Sequence, residues 1–529
     1  MQKRNFLKSL LLIIGSFPLK IFSYQDKERI SFDYGVASGD PTADQVILWT
    51  KISKINKNDI NIKWQVSSDA DFKNIVASGS KRSIFADNFT VKVDANIPKK
   101  YNGKKIFYRF YYENIFSAIG ATSTLPLDNP NKYNIAFCSC SNYPAGFFNA
   151  YKEIAKNDDI DLVLHLGDYI YEYGRNVYPS SGSEEMGRVV EPPHEIISLD
   201  DYRKRYALYR SDEDLQDLHA SKPMIVVWDD HEFTNNTWKQ GAENHSKNEG
   251  IFEDRIYNAI KSYYEWMPIR ENKSKSKIWR DFRVGNLFQL LMLDTRYLYR
   301  DRQLNINSYI NDGIINKEHY RKDLFKKRRL LGPEQQNWIK EKVSAKFKWS
   351  IFGQQLLIGP KHLPQLLRDF ESSELPNYLK NIIDLAGAKL PYNTDQWDGY
   401  PKERERFYNN IKGSQSNIIL AGDSHDSWLS NLHNDKSKFV GIEIGAPSIS
   451  SPNSVDTFGH NINKIEEGFI EENKDLMWIN GKNKGYVQLT ISNKNIKVNY
   501  HYVSTVKSKN YMPLEPVTFT LDHNQPLNL

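Results

Sequence analysis

Six short apolar runs, each ending abruptly in polar residues, constrain this chain more than any other feature. They are Asn134–Phe137, Leu162–Leu166, Met224–Val227, Phe288–Leu293, Ser350–Phe352 and Ile418–Ala421. Runs this short are strands rather than helices, and strands apolar on both faces are buried on both faces. Helical stretches are expected between some of them, notably Pro144–Ala155 and Glu334–Val343, the latter with Pro333 near its start. Such alternation predicts a layered α/β domain whose ligands gather beyond the carboxyl ends of the strands. Later strands are expected at Phe439–Ile444, Tyr486–Ile491 and Ile496–Tyr502. Polar stretches at Asn176–Leu199, Asn235–Asn248 and Lys361–Tyr400 read as long loops where specificity resides.

Upstream the pattern has period two. Ile62, Trp64 and Val66 alternate with polar residues, as do Phe89, Val91 and Val93, and then Ile106, Tyr108, Phe110 and Tyr112. These are half-buried antiparallel strands of a small immunoglobulin- or fibronectin-like β-sandwich, expected over residues 28–125. Leu125–Lys132, with Pro126 and Pro130, reads as a linker into a second domain over 133–510. Two domains also suit 529 residues, too many for a single core. The expected class is therefore multidomain α+β and α/β.

Ahead of the sandwich, residues 1–24 read as an address. Lys3-Arg4-Asn5-Phe6-Leu7-Lys8 precedes an apolar run from Leu10 to Leu19, too short to span a bilayer but suited to a signal h-region. The segment resembles a twin-arginine export signal with Lys3 in place of the first arginine. No Ala-x-Ala cleavage site follows, and Ile21-Phe22-Ser23 is a poor substitute. The protein is expected in the periplasm, cell envelope or medium, touching the membrane only through this segment. The net charge of +6 is modest, and the lysine-rich stretches are interspersed with acids, so no dedicated nucleic-acid surface is indicated. The two cysteines, Cys138 and Cys140, are too close along an extended segment to bridge, which excludes a disulfide framework.

Four of the apolar runs lead into chemistry-bearing clusters. They are Cys138-Ser139-Cys140-Ser141-Asn142, then Gly167-Asp168-Tyr169-Ile170-Tyr171, then Asp229-Asp230-His231-Glu232 with Asn235-Asn236, and finally Gly422-Asp423-Ser424-His425-Asp426. Singly, each has an ordinary explanation as a turn, a helix cap or a solvated loop. Together they bring a thiol, a phenol, several carboxylates and two imidazoles to one rim. Like carboxylates at short range cannot all stay ionised without counter-charge, and bound cations supply it.

The order of these clusters resembles the calcineurin-like metallophosphoesterases, and Gly-Asp-x-x-Tyr resembles purple acid phosphatases. More closely, the chain resembles the alkaline phosphatase D family. The resemblance runs from Gly35-Val36-Ala37-Ser38-Gly39-Asp40-Pro41 and Val46–Thr50 through Phe137–Asn142, Gly167–Glu172, Trp228–Asn236, Leu293-Asp294-Thr295-Arg296, Gly353-Gln354-Gln355 and Gly422–His425. It implies a layered αββα catalytic domain behind the sandwich, and hydrolysis of phosphate monoesters or diesters by a metal-held hydroxide. It further implies that Asp168 bridges two metals and that Cys140, Tyr171 and His425 bind one of them. Thiolate and phenolate together suit Fe³⁺ rather than Mg²⁺ or Ca²⁺. Asp230 and Asp423 suit an oxygen-loving neighbour, Ca²⁺ by resemblance, with Zn²⁺ as the alternative metal. Cys140 is preferred over Cys138 because Ser-Asn-Tyr follows it. Asn236 either binds that second metal or contacts phosphate. His231 either protonates the leaving group or holds a phosphate oxygen. Arg296 either assists phosphate binding or pairs with Asp294. Two rival readings are a non-enzymatic surface-binding protein and a mononuclear iron oxygenase. The latter ordinarily presents two histidines and one carboxylate on a facial triad.

Overall fold

The computed structural model describes residues 30–54 and 57–529, so the expected export signal at 1–24 lies outside the described residues. Among the described residues, two large sheets carry the fold. The first has nine strands in the order Val517–Asp522, Asn495–Val503, Lys484–Ser492, Lys132–Cys138, Leu162–His165, Pro223–Val226, Val36–Gly39, Gln45–Lys51 and Thr90–Asn96. The second has seven: Arg280–Val284, Phe288–Met292, Trp349–Gly353, Asn417–Ala421, Phe439–Gly445, Ser427–His433 and Leu476–Asn480. The six apolar runs are strands in these sheets, within a residue or two of their expected limits. Their neighbours pair in parallel, so their carboxyl ends share one rim in each sheet.

The two sheets are stacked. Along the second sheet, Leu290, Met292, Ile351, Ile418 and Leu420 join the large core shared with the first sheet. Their alternates Leu291, Phe352 and Ile419 join a separate cluster with Ile339, Phe407 and Ile411 of the helices Gly332–Lys342 and Pro401–Asn410 and the turn after them. Successive side chains of a strand face opposite sides, so each strand serves two cores. On the outer side of the first sheet lie the helices Asn149–Lys156, Leu199–Arg210, Glu213–Ser221 and Phe252–Trp266, which contribute Tyr151, Tyr202, Leu215 and Tyr263 to the large core. The result is four layers, helix, sheet, sheet, helix.

The sandwich strand Val36–Gly39 pairs in parallel with Pro223–Val226, so one of the sandwich's two sheets is continuous with the first large sheet. Its other sheet, Ile75–Ser83, Ile60–Ser67, Ile106–Tyr112 and Ile115–Phe116, closes a core of Val46, Leu48, Ile62, Val66, Val91, Tyr108 and Phe110. Val517–Asp522, beyond residue 510, forms the edge strand of the first large sheet. The first expected helix begins only at Asn149; Tyr143–Ala145 is a single 3₁₀ turn, and the Phe147 N–H is bonded to the carbonyl of Val506 instead of continuing a helix. The stretch 361–400 is more than loop. It carries the helix Asn377–Ile382 and buries Leu363, Leu367, Leu379 and Leu385 against Ala421 and Trp428.

Candidate metal centre

Each cluster begins where a strand ends, and the backbone turns there in an unusual way. Cys140, Asp168, Asn236, Asp423 and His425 all have left-handed φ, between 54° and 66°. Residues with a Cβ avoid this region, at a cost of roughly 1 kcal/mol or more each, and such strain concentrates at functional sites. The sharp turns aim the side chains back across the strand ends. Gly167 has φ 105°, and a Cβ there would lie 2.3 Å from that of Asp229, so only glycine lets the second and third clusters approach.

The turns are stitched together. The Cys140 N–H donates to the Gly167 carbonyl (3.2 Å) and Ser141 N–H to that of Asp168 (2.9 Å). Buried Glu232 accepts three backbone N–H groups: Asp168 (3.0 Å), Tyr169 (2.5 Å) and Asp229 (2.6 Å). Across the sheets, Ile449 N–H donates to the Ser139 carbonyl (3.1 Å).

Two ligand sets that share Asp168 result. Cys140, Asp168 and His425 bring a sulfur, a carboxylate oxygen and a ring nitrogen within 4.8 Å of one another. Tyr171 adds its phenol, which donates to Asp168 Oδ2 (3.0 Å), accepts from Ser451 (2.7 Å) and lies 3.3 Å from His425 Nε2. His425 Nδ1 is 2.6 Å from the Pro452 carbonyl. A carbonyl only accepts, so Nδ1 carries the proton and Nε2 turns its lone pair to the cluster. Burial lowers this imidazole to a pKa of about 4, which keeps it a neutral donor. The second set is Asp168, Asp230 and His231, again within 4.8 Å. Asp168 belongs to both. Its Oδ1 has no hydrogen-bond partner, nor has Asp230 Oδ1, although both residues are buried. Cys138 stays in the core, with its thiol on the Leu164 carbonyl.

These residues fit cations. Burial, then the Asp168 charge, pushes the Cys140 thiol well up, and the same two causes raise the Tyr171 phenol. Burial, together with Asp230, Glu232 and Asp423, lifts Asp168 well above the carboxylate range against the pull of His231. Burial takes Asp423 to about 6 despite Arg296. Anionic ligands so crowded favour positive ions between them.

Asp168, Asp230, His231, Asn236, Asp423 and His425 line one cavity of about 290 Å³, walled also by Tyr173 and Tyr178. His231 stacks on Tyr171 with centroids 4.2 Å apart, and its Nδ1 lies 2.7 Å from Glu172. Burial alone would lower His231, but Glu172, Asp168 and Asp230 carry it well above the ordinary imidazole value. Asn236 donates its backbone N–H to Asp230 Oδ2 (2.6 Å) and its side-chain N–H to Glu243.

Arg296 reaches past its sequence neighbour Asp294. Its backbone N–H takes Asp294 Oδ1 (3.0 Å), while the side chain leaves that residue and is wholly buried. Nε, Nη1 and Nη2 donate to Asp229, Asp395 and Asp423 in turn, and Arg296 does not line the cavity. Sequence reasoning gave no role to Glu172, Glu232, Asp395, Gln396, Ser451 or Pro452. Glu172 and Glu232 stood inside motifs already noted; Asp395 and Gln396 come from a stretch read as loop, where no strand end marks them.

The PhoD-like phosphatase family model matches residues 135–500, and that of the PhoD-like phosphatase N-terminal domain matches 20–126. Alkaline phosphatase D of Bacillus subtilis (strain 168) is 36% identical over 498 residues, which span 90% of this chain and 78% of that protein. A solved structure of PhoD is similar with a TM-score of 0.77 at 32% identity, covering 94% of this chain and 93% of its own.

Proposed function

This chain belongs to the PhoD-like phosphatase family, and we propose that the strand-end cluster is the metal centre where it hydrolyses phosphate esters. As a member it is a metal-dependent phosphoric ester hydrolase, which sets aside the surface-binding and oxygenase alternatives. Cys140, Asp168, Tyr171 and His425 would hold Fe³⁺, since sulfur, phenolate, carboxylate and imidazole donors together suit a ferric ion. Asp230, Asp423 and the bridging Asp168 would hold Ca²⁺ as oxygen donors. Asn236 joins them through its side-chain oxygen, with one of its two amide N–H groups held by Glu243. The observation that carries the reading is that Asp168 groups with Cys140 and His425 on one side and with Asp230 on the other, with one carboxylate oxygen unpartnered.

When bound, the cations acidify water and offset the charge on the phosphoryl oxygens. The chain's residues do the rest. Glu172 fixes the His231 ring through Nδ1 and Tyr171 stacks on its face, leaving Nε2 to donate a proton to the leaving-group oxygen. Tyr173 and Tyr178 wall the cavity beside His231. The Lys3-Arg4 pair and the apolar run behind it support delivery outside the cytoplasm.

The test is elemental analysis with visible spectroscopy of active protein. Iron and calcium are expected, with a charge-transfer band that Tyr171→Phe and Cys140→Ala shift or bleach and Cys138→Ala leaves alone. A calcium chelator should remove activity while colour remains. Zinc alone with no visible absorption would reject the iron assignment and leave the hydrolase standing.

A further inference from the structure

We propose that Arg296 is a resident cation of the centre: its guanidinium fills the position among Asp229, Asp230 and Asp423 that a metal ion would otherwise take, and so limits how many ions the site holds. The inference rests on the reading of this cluster as a metal centre.

Three carboxylates, Asp229, Asp230 and Asp423, place oxygens within 4.8 Å of one another, as closely as in either ligand set above. By that spacing alone they are a third cation position. The structure puts a side chain there. Arg296 Nε donates to Asp229 Oδ1, Nη2 donates to Asp423 Oδ1, and the same Nη2 lies 3.5 Å from Asp230 Oδ1. The remaining nitrogen, Nη1, holds Asp395, which Arg300 also holds. The guanidinium is charged at every accessible pH, and its planar fork presents donors to several carboxylates at once.

Its placement is dictated from behind. The Arg296 backbone is fixed by Asp294 Oδ1, and the preceding Thr295 hydroxyl is fixed on Gln355 (2.6 Å). The side chain therefore enters from beneath the strand ends of the second sheet. It stays out of the cavity that Asp230 and Asp423 line, and Asp229 stays out with it. The consequence is a division of labour among the acids. Asp229 is committed to the guanidinium on one oxygen and its other is buried without a partner. Asp423 gives Arg296 one oxygen and Gln396 the other, keeping a free lone pair on each. Asp230 keeps Oδ1 without a hydrogen bond. Asp423 and Asp230 can thus serve an ion from the cavity side while the arginine holds them in register from below. An ion drawn between Asp229 and its neighbours would meet the guanidinium charge.

The test is calcium stoichiometry of the full-length purified protein, measured by equilibrium dialysis and elemental analysis. Arg296→Gln keeps amide donors but removes the charge, and is expected to bind about one additional calcium ion per chain at saturation. Arg296→Lys, which restores a cation, should return to the wild-type number. Asp229→Asn combined with Arg296→Gln removes one anion of the vacated position and should also return to it. If Arg296→Gln folds only with calcium present, the ion is replacing the guanidinium, as the inference requires. Unchanged stoichiometry in folded Arg296→Gln overturns it, and so does failure of Arg296→Gln and the double variant to fold even in calcium, since Arg296 would then be a hydrogen-bonding strut. Wild-type protein holding no metal would overturn the metal centre as well, which separates the two failures.

Discussion

Replacing Glu232 tests how the strained turns are held. Its carboxylate is 1% exposed and accepts the N–H groups of Asp168, Tyr169 and Asp229, with Oε2 serving the first and third and Oε1 the second. Glu232→Ala strands three buried donors. Each unsatisfied donor costs about 1–3 kcal/mol, and water entering the vacated space would recover part of that, so a loss of about 3–6 kcal/mol is expected. Glu232→Gln is milder. Its amide oxygen can take the place of Oε2 and keep two bonds, but its NH₂ then faces the Tyr169 N–H, for about 1–3 kcal/mol. Against a total stability of roughly 5–15 kcal/mol, the alanine variant should be marginal and the glutamine variant folded. Urea unfolding followed by tryptophan fluorescence gives the order of midpoints: wild type, then Gln, then Ala. Metal content should fall in the same order, because two of the three donors flank Asp168 and Asp230. An alanine variant with wild-type midpoint and full metal content would refute the argument that this carboxylate ties the two turns.

Three further outcomes are expected. His231→Ala should lower turnover more for poor leaving groups than for good ones, with metals retained; equal losses in a leaving-group series would count against proton donation. Asp40→Ala should destabilise the protein by about 3 kcal/mol in thermal or urea unfolding, because it removes a bidentate partner of Arg280 (2.6 and 2.9 Å) that is itself 1% exposed. A wild-type melting curve would contradict this. Replacing both Lys3 and Arg4 with Gln should leave the enzyme in the cytoplasm, and fractionation showing unchanged delivery would sink the export reading.

The strands of the catalytic layers were legible because burial on both faces leaves an uninterrupted apolar run, and the sandwich because burial on one face leaves alternation. The strand-end residues followed from those runs: Cys140, Asp168, Asp230, Asp423 and His425 converge because parallel strands end on one rim. What escaped was set by long-range pairing. Nothing local announces that Ser38 and Gly39 pair with Pro223 and Met224. The spacing of Asp294 and Arg296 invited a local ion pair, yet Asp294 Oδ1 accepts the Arg296 backbone N–H while the guanidinium reaches acids distant in sequence. Asp395 and Gln396 reach Arg296 and Asp423 from a segment without a strand, so periodicity carried no sign of them.

The centre lies on a seam. Cys140, Asp168, Tyr171, Asp230 and His231 follow strands of the first sheet, whereas Arg296, Asp423 and His425 follow strands of the second. Both proposed metal positions draw ligands from both sides, and the Arg296–Asp229 pair crosses the same seam. Packing holds it shut from within: a Cβ on Gly422 would lie 2.8 Å from the Ser139 side chain, so the two strand ends already touch. Left-handed turns on both sides need that support, since each would relax if its neighbour withdrew. The sandwich strands contribute at a distance. Asp40 closes the strand Val36–Gly39 onto Arg280, whose Nη2 donates to the Val226 carbonyl (2.7 Å) at the end of the strand that leads to Asp229 and Asp230. The N-terminal layer therefore braces the third cluster through its backbone, and its removal would loosen the ligand turns before it reached any ligand.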